Sequence, residues 1–114
     1  MPYKIFHNPR CTKSRNALAL LDSKNIIPEI IEYLSENQSE KVLKDLLAKG
    51  DFKAKEMIRA KEAKEEGLED IKSKSDAEII KFICANPRVM QRPIVMKDDS
   101  KSTIARDDDW FSRL

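Results

Sequence analysis

The sequence is short of the residues that cross-link or interrupt a chain. Two cysteines, two glycines and a single histidine occur among its 114 residues. Two cysteines make no disulfide framework, and no CxxC pair is present to begin a zinc site. The apolar runs are much shorter than the roughly 20 residues that cross a bilayer. The opening stretch, MPYKIFHNPRC, has a short apolar core and no cleavage-site pattern, so a secretory leader is not expected. Neither sign of charge dominates: 22 basic and 20 acidic residues leave a net charge of +2. The two signs interleave, as in KAKEMIRAKEAKEEGLEDIK, the pattern of a solvated helical face rather than a basic stripe. Nucleic acid and membrane are therefore not expected as partners. The expected location is the cytoplasm, where an exposed thiol stays reduced. Internal repeats, low-complexity tracts and linkers are also missing. Residues 1–114 read as one domain, long enough for a core without staples.

What is present is an orderly alternation of elements. YKIF, residues 3–6, is short and β-prone, and Asn8-Pro9 is a turn signal. From 12 to 24, Ala17, Leu18, Leu20 and Leu21 mark the apolar face of a helix, with Cys11 or Thr12 at its N-cap and Asn25 at its end. PEIIEYL, residues 28–34, reads as a second strand. It lies parallel to the first, because a β-turn-α-β unit crosses over right-handedly. Ser39 opens a helix over 39–49 with a capping-box start, and Gly50 is placed to end it. Residues 53–66 are helical by propensity but apolar only at Met57, Ile58 and Ala60, so a short helix is expected, with polar loops near Gly67. Ser75-Asp76 caps a helix carrying Ile79, Ile80 and Ile83, which ends before Pro87. PIVMK, residues 93–97, and KSTIA, residues 101–105, flank a turn and form an antiparallel hairpin. Three acids before WFSRL favour a short final helix. The fold class expected from this order is α/β. It is a thioredoxin-like, mixed four-stranded sheet with helices on both faces and a helical insertion over about 36–86.

Cys11 stands where a strand turns into a helix. The first N–H groups of a helix have no partner within it, and the helix dipole adds partial positive charge. Both favour a thiolate over a thiol, and both also suit an oxyanion. Arg10, Lys13 and Arg15 bring formal charge nearby, and His7 adds more when protonated. Cys84, inside IIKFICAN, reads instead as a core residue. Ser14 occupies the place where a resolving thiol would sit, so an oxidised or substrate-bound Cys11 must be resolved by a thiol from another molecule. Two other readings of these residues are weak. The segment from Cys11 to Arg15 is short and glycine-free for a phosphatase anion loop. His7 and Cys11 cannot share a helical face across Pro9 and have no further ligand pair for a metal.

Arg59, Arg92 and Arg106 each stand at an element boundary, where a side chain can point into a cleft. Arginine suits tetrahedral oxyanions because its planar fork makes paired hydrogen bonds. Arg92 precedes Pro93 at the start of a strand. In a thioredoxin-like layout that strand begins opposite the cysteine turn, a place for a cis X-Pro bond.

The segments HNPRCTKSRNALALL, IIEYL, MIRAKE, NPRVMQRPIV and a strand ending in AR follow one another along nearly the whole chain. In that order and spacing they resemble the glutaredoxin-coupled arsenate reductases, a thioredoxin-like family with a helical insertion. The resemblance implies that Cys11 attacks arsenate and that His7 helps activate it, with Ser14 and Arg15 as the Ser-Arg of the motif. It implies that Arg59, Arg92 and Arg106 hold the oxyanion, and that Pro93 is the cis proline facing the cysteine. It also implies glutathione as co-substrate, glutaredoxin as protein partner, and no metal or organic cofactor. Thr12-Lys13 inside the motif and DDDW after Arg106 depart from the family pattern. Two other activities remain on this scaffold. One is a redox-responsive regulator of the Spx type, which binds RNA polymerase through a fold switched by CxxC. The other is a glutathione-dependent thiol oxidoreductase that does not act on arsenate. Ser14 in place of the second cysteine and the full set of arginines favour the reductase.

Near neutral pH, Cys11 should alkylate before Cys84, as read by peptide mass mapping after a short pulse of iodoacetamide. Faster labelling at Cys84 would remove the basis for a reactive Cys11.

Overall fold

The computed structural model describes residues 2–114. Four strands, β1 (Tyr3–Phe6), β2 (Glu29–Ile31), β3 (Ile94–Lys97) and β4 (Lys101–Ile104), form one sheet in the order β2-β1-β3-β4. β1 runs parallel to β2 and antiparallel to β3, and β3 and β4 form the antiparallel hairpin. Ile5 of β1 lies between Ile30 and Val95 in this register and is wholly buried.

The period of two along each strand divides the core. Tyr3, Ile5 and Val95 face one side, where they meet Ala17 and Leu21 of α1 (Thr12–Ser23), together with Ala105 and Trp110. Phe6, Ile94 and Met96 face the other side. There they meet Leu43 and Leu46 of α2 (Glu40–Lys49) and Ile79, Ile80 and Ile83 of α4 (Asp76–Ala85). α3 (Ala60–Glu65) adds Ala63 to this second core. Helices thus cover both faces of a mixed sheet. Each fully buried Leu or Ile contributes about 1.5–3 kcal/mol, so the second core anchors the inserted segment firmly.

Some local expectations need correction. The short helix expected within 53–66 is present as α3, but it fills only the last part of the segment. A single turn over Ala54–Glu56 gives way to extended chain, and α3 begins only at Ala60. The backbone of this stretch pairs elsewhere: Gln91 N–H donates to the Met57 carbonyl at 2.7 Å, and Arg59 N–H donates to the Val89 carbonyl at 2.7 Å. Met57 and Ile58 are both buried, and Ile58 forms an isolated antiparallel bridge to Met90. The second strand is shorter than 28–34, because the Glu32 carbonyl accepts from Ser35 and Glu36 N–H and turns the chain. Ser39 caps α2 through Val42 N–H without a reciprocal partner, since valine has no side-chain acceptor to return the bond. The reciprocal box forms at Ser75 and Glu78 of α4. Gly50 ends α2 with an ordinary negative φ of −86°. Its role is space: a Cβ there would stand 2.5 Å from the Phe52 ring. The final helix is a single tight turn, Trp110–Arg113, pinned by the buried Trp110 and by Phe111 stacked on Tyr3.

Ser75→Ala should lower stability by about 0.5–2 kcal/mol, because it strands the Glu78 N–H and opens the box. An unchanged denaturant midpoint would show that α4 is held by packing alone.

Candidate active site

The turn between β1 and α1 is built by short polar contacts. Asn8 Oδ1 accepts from Arg10 N–H at 3.0 Å, and the Asn8 carbonyl accepts from Cys11 N–H at 3.0 Å. Cys11 is the N-cap of α1, with φ −93° and ψ 123°. Its sulfur lines the cavity beside it, with the Lys13 and Ser14 N–H groups of the first turn directed at it.

That cavity, about 500 Å³, is walled by His7, Cys11, Arg59, Arg92 and Arg106, with Glu32 and Arg88 at its margin. Four elements supply the arginines and the sulfur. Arg59 is the N-cap of α3, Arg92 lies just before β3, and Arg106 just after β4. Arg106 Nη1 lies 3.9 Å from Cys11 Sγ and donates to the Arg92 carbonyl at 2.7 Å. The Arg92–Pro93 bond is cis; among the described residues it is the one cis bond. Gln91 joins two of the arginines: its Oε1 accepts from Arg59 Nη1 at 3.1 Å and from the Arg92 N–H at 3.3 Å. The Arg92 Nε is buried and donates to nothing in the chain. A donor of that kind fits a bound oxyanion.

Burial works against ionisation of Cys11. It is outweighed by the Ser14 N–H, the Arg92 and Arg106 guanidiniums and the Lys13 N–H, which hold the thiol below its ordinary pKa. Cys84 is the opposite case. Burial, with Glu40 adding to it, pushes that thiol up, and the side chain packs against the second core.

The side chains of the other motif residues act on the loop. Ser14 is wholly buried, and its hydroxyl meets His7 Nδ1 at 2.8 Å and accepts from Asn8 N–H at 3.0 Å. His7 is buried too. Burial holds its pKa below the ordinary value, with Glu32 opposing and Arg15 assisting. Burial thus disfavours the imidazolium, the form in which His7 would add positive charge near Cys11. Arg15 lies exposed on α1 and donates to the Pro9 carbonyl at 3.0 Å and to Thr12 Oγ1 at 3.2 Å. It ties the turn to the helix instead of touching the thiol. Among the described residues, no group of three or more His, Cys, Asp or Glu is placed to hold a metal ion.

Two residues that hold the site's arginines or their segments escaped sequence reasoning. Glu62 pairs with Arg59 and lies 3.7 Å from Arg92 Nη1. Its spacing of three from Arg59 on a helix was the available signal. Arg113 was the other. It grips Asp107 through both Nη atoms, places its Nε 2.9 Å from a carboxylate oxygen of Asp51, and donates to the Ile104 carbonyl, so it clamps the turn that carries Arg106. Long-range pairing of that kind has no local signature.

Known proteins resemble this chain along nearly all of it. The profile described as ArsC family matches residues 6–114. An arsenate reductase of Neisseria meningitidis is 40% identical over 106 residues, covering 90% of this chain and 89% of that protein. An uncharacterised Escherichia coli protein, YfgD, is 42% identical over 106 residues, covering 90% of this chain and 87% of its own. Among solved structures, the arsenate reductase from Vibrio cholerae superposes with a TM-score of 0.88 at 32% identity, covering 100% of this chain and 98% of that one.

Arg106→Gln should raise the Cys11 pKa, since it removes a donor facing the sulfur. The thiolate fraction at a pH below the wild-type midpoint should fall roughly three- to tenfold. Ultraviolet absorbance of the thiolate against pH reads this directly, and an unmoved midpoint would take Arg106 out of thiol activation.

Proposed function

This chain belongs to the ArsC family, and on that premise we propose that it is a thiol-dependent arsenate reductase drawing electrons from glutathione and glutaredoxin. One observation carries the reading: three arginines from three separate segments meet around a single activated sulfur. An array of fixed donors is suited to a tetrahedral dianion and to the charge that shifts during attack on it.

In the proposed sequence, arsenate enters beside the N-terminus of α1 and is held by Arg59, Arg92 and Arg106. The Cys11 thiolate attacks arsenic, a sulfur–arsenic bond forms, and one arsenate oxygen leaves as water. Glutathione attacks the arsenic of this adduct next, forming a second sulfur–arsenic bond as another oxygen leaves as water. The glutaredoxin thiol then takes the glutathione sulfur into a mixed disulfide. As the arsenic–glutathione bond breaks, its electron pair stays on arsenic, which falls from the pentavalent to the trivalent state; water then hydrolyses the remaining Cys11–arsenic bond, releasing arsenite and the Cys11 thiol. His7 acts through Ser14, which fixes the turn, so its contribution is to hold the sulfur in place.

The buried Ser14 supports this reading over a switch built on a local disulfide. Its hydroxyl is committed to His7 and Asn8, and no thiol stands near Cys11 in the first turn of the helix. The external thiols are thus the natural route for resolving Cys11.

Turnover with arsenate, glutathione and glutaredoxin, followed by arsenite formation, tests the proposal. Wild type should turn over, Cys11→Ser should be inactive, and Cys84→Ser should remain active. Arg59→Gln or Arg92→Gln should cost about 1.5–3 kcal/mol, or roughly ten- to a hundredfold in kcat/KM. No arsenite from wild type, with thiol exchange on glutathionylated substrates instead, would assign the chain to a thiol transferase.

A further inference from the structure

The three arginines of the cavity are not equally free. Arg106 has no carboxylate partner among the described residues; its contacts are the Arg92 carbonyl and the Cys11 sulfur. Arg59 and Arg92 share one carboxylate, Glu62. The Glu62 Oε2 accepts from Arg59 Nε and lies 3.7 Å from Arg92 Nη1. This is no loose surface pair, for the Glu62 side chain is 13% exposed and that of Arg92 is 18% exposed. Glu65 and Glu66 pair with Arg88 instead, and Glu32, which also lines the cavity, is paired with none of these arginines among the described residues.

The position of Glu62 matters because of what the two guanidiniums are for. A guanidinium grips a carboxylate or a tetrahedral oxyanion through the same donors. A carboxylate already on Arg59 and beside Arg92 offers those donors what an incoming dianion would offer. It also subtracts one unit of charge from a site where three arginines face one thiolate. If it merely steadied one arginine from behind, it would have no reason to lie within ionic distance of the second.

We propose that Glu62 is a built-in competitor for the oxyanion: it occupies Arg59 and Arg92 in the anion-free protein, gives up at least one of them when a tetrahedral dianion binds, and keeps ground-state anion binding weak. The proposal rests on the reading of the cavity as an oxyanion site and does not depend on arsenate being the substrate. Glu62 sets the affinity that all tetrahedral dianions share. Discrimination among them is left to the bond that Cys11 Sγ can form. Weak ground-state binding costs nothing in the chemical step, since only interactions that strengthen in the transition state accelerate it.

The test compares alkylation of Cys11 by iodoacetate, an anion, with alkylation by neutral iodoacetamide, read by peptide mapping. The ratio of the two rates cancels changes in thiol reactivity and reports attraction of an anion to the sulfur. Glu62→Gln should raise the ratio about three- to tenfold, and sulfate should protect Cys11 at a correspondingly lower concentration. Glu62→Asp, which keeps the charge, should stay near wild type. An unchanged or lower ratio in Glu62→Gln overturns the proposal and makes Glu62 a support for the arginines. Wild type gives a second test that needs no variant to fold. In a crystal soaked with sulfate, the Glu62 carboxylate should have separated from at least one of the two arginines, and both pairs intact beside bound sulfate would overturn the proposal. Arg106→Gln separates the two layers of inference. It should lower the ratio; if it does not, the oxyanion-site reading fails, and the proposal fails with it.

Discussion

Three guanidinium groups brought to one cavity repel one another, and the rest of the site follows from how that repulsion is met. Two unit charges 4 Å apart interact by about 4 kcal/mol at an effective dielectric near 20. A cluster of cations is therefore stable only if anions or carbonyl oxygens stand among them. This chain supplies Glu62 between Arg59 and Arg92, the Arg92 carbonyl beneath Arg106, and the ionisable sulfur of Cys11. The arginines lower the pKa of the thiol, and the thiolate in turn is part of what makes the arginine cluster tolerable. Activation of the nucleophile and assembly of the anion site are one electrostatic arrangement seen from two sides.

The fold is organised to hold that arrangement against its own repulsion. β1 sits inside the sheet, between β2 and β3, so the turn leading to Cys11 starts from the most firmly held strand. β3 begins beside that turn and fixes Arg92, while the hairpin partner β4 leads directly to Arg106. The inserted helices pack their apolar faces against the sheet and deliver Arg59 from a third direction. The backbone pairing of 57–59 with 89–91 is what locks that delivery, because it ties the Arg59 segment to the residues just before Arg92. The C-terminal turn contributes as well: buried Trp110 and the clamp of Arg113 on Asp107 hold the segment after Arg106.

Much of this could be read from the sequence, and the rest could not, for physical reasons. Alternation in YKIF and in PIVMK, the helical spacing after Cys11, and Ser75 followed by an acid three residues on all express local rules, and these elements formed as expected. Within 53–66 the expected short helix formed, but where it begins could not be read, because the pairing of 57–59 with 89–91 that precedes it lies far away in sequence. Gly50 looked like a conformational device and turned out to be a matter of room for the Phe52 ring. At the site, the meeting of Cys11 with Arg59, Arg92 and Arg106 was suggested by family resemblance rather than by spacing. The state of His7 could not be anticipated, since it depends on burial that only the tertiary structure creates. Glu62 was hidden in a run of alternating charge that read, correctly for most of its members, as a solvated surface.

The account stands most directly on where an oxyanion goes and what it bonds to. A high-resolution crystal structure after brief exposure to arsenate, without any external thiol, decides it. The account requires arsenic within bonding distance of Cys11 Sγ, with its oxygens on the guanidiniums of Arg59, Arg92 and Arg106. Arsenate bound on another face, or an unmodified Cys11 with the three arginines turned away from the anion, would contradict it.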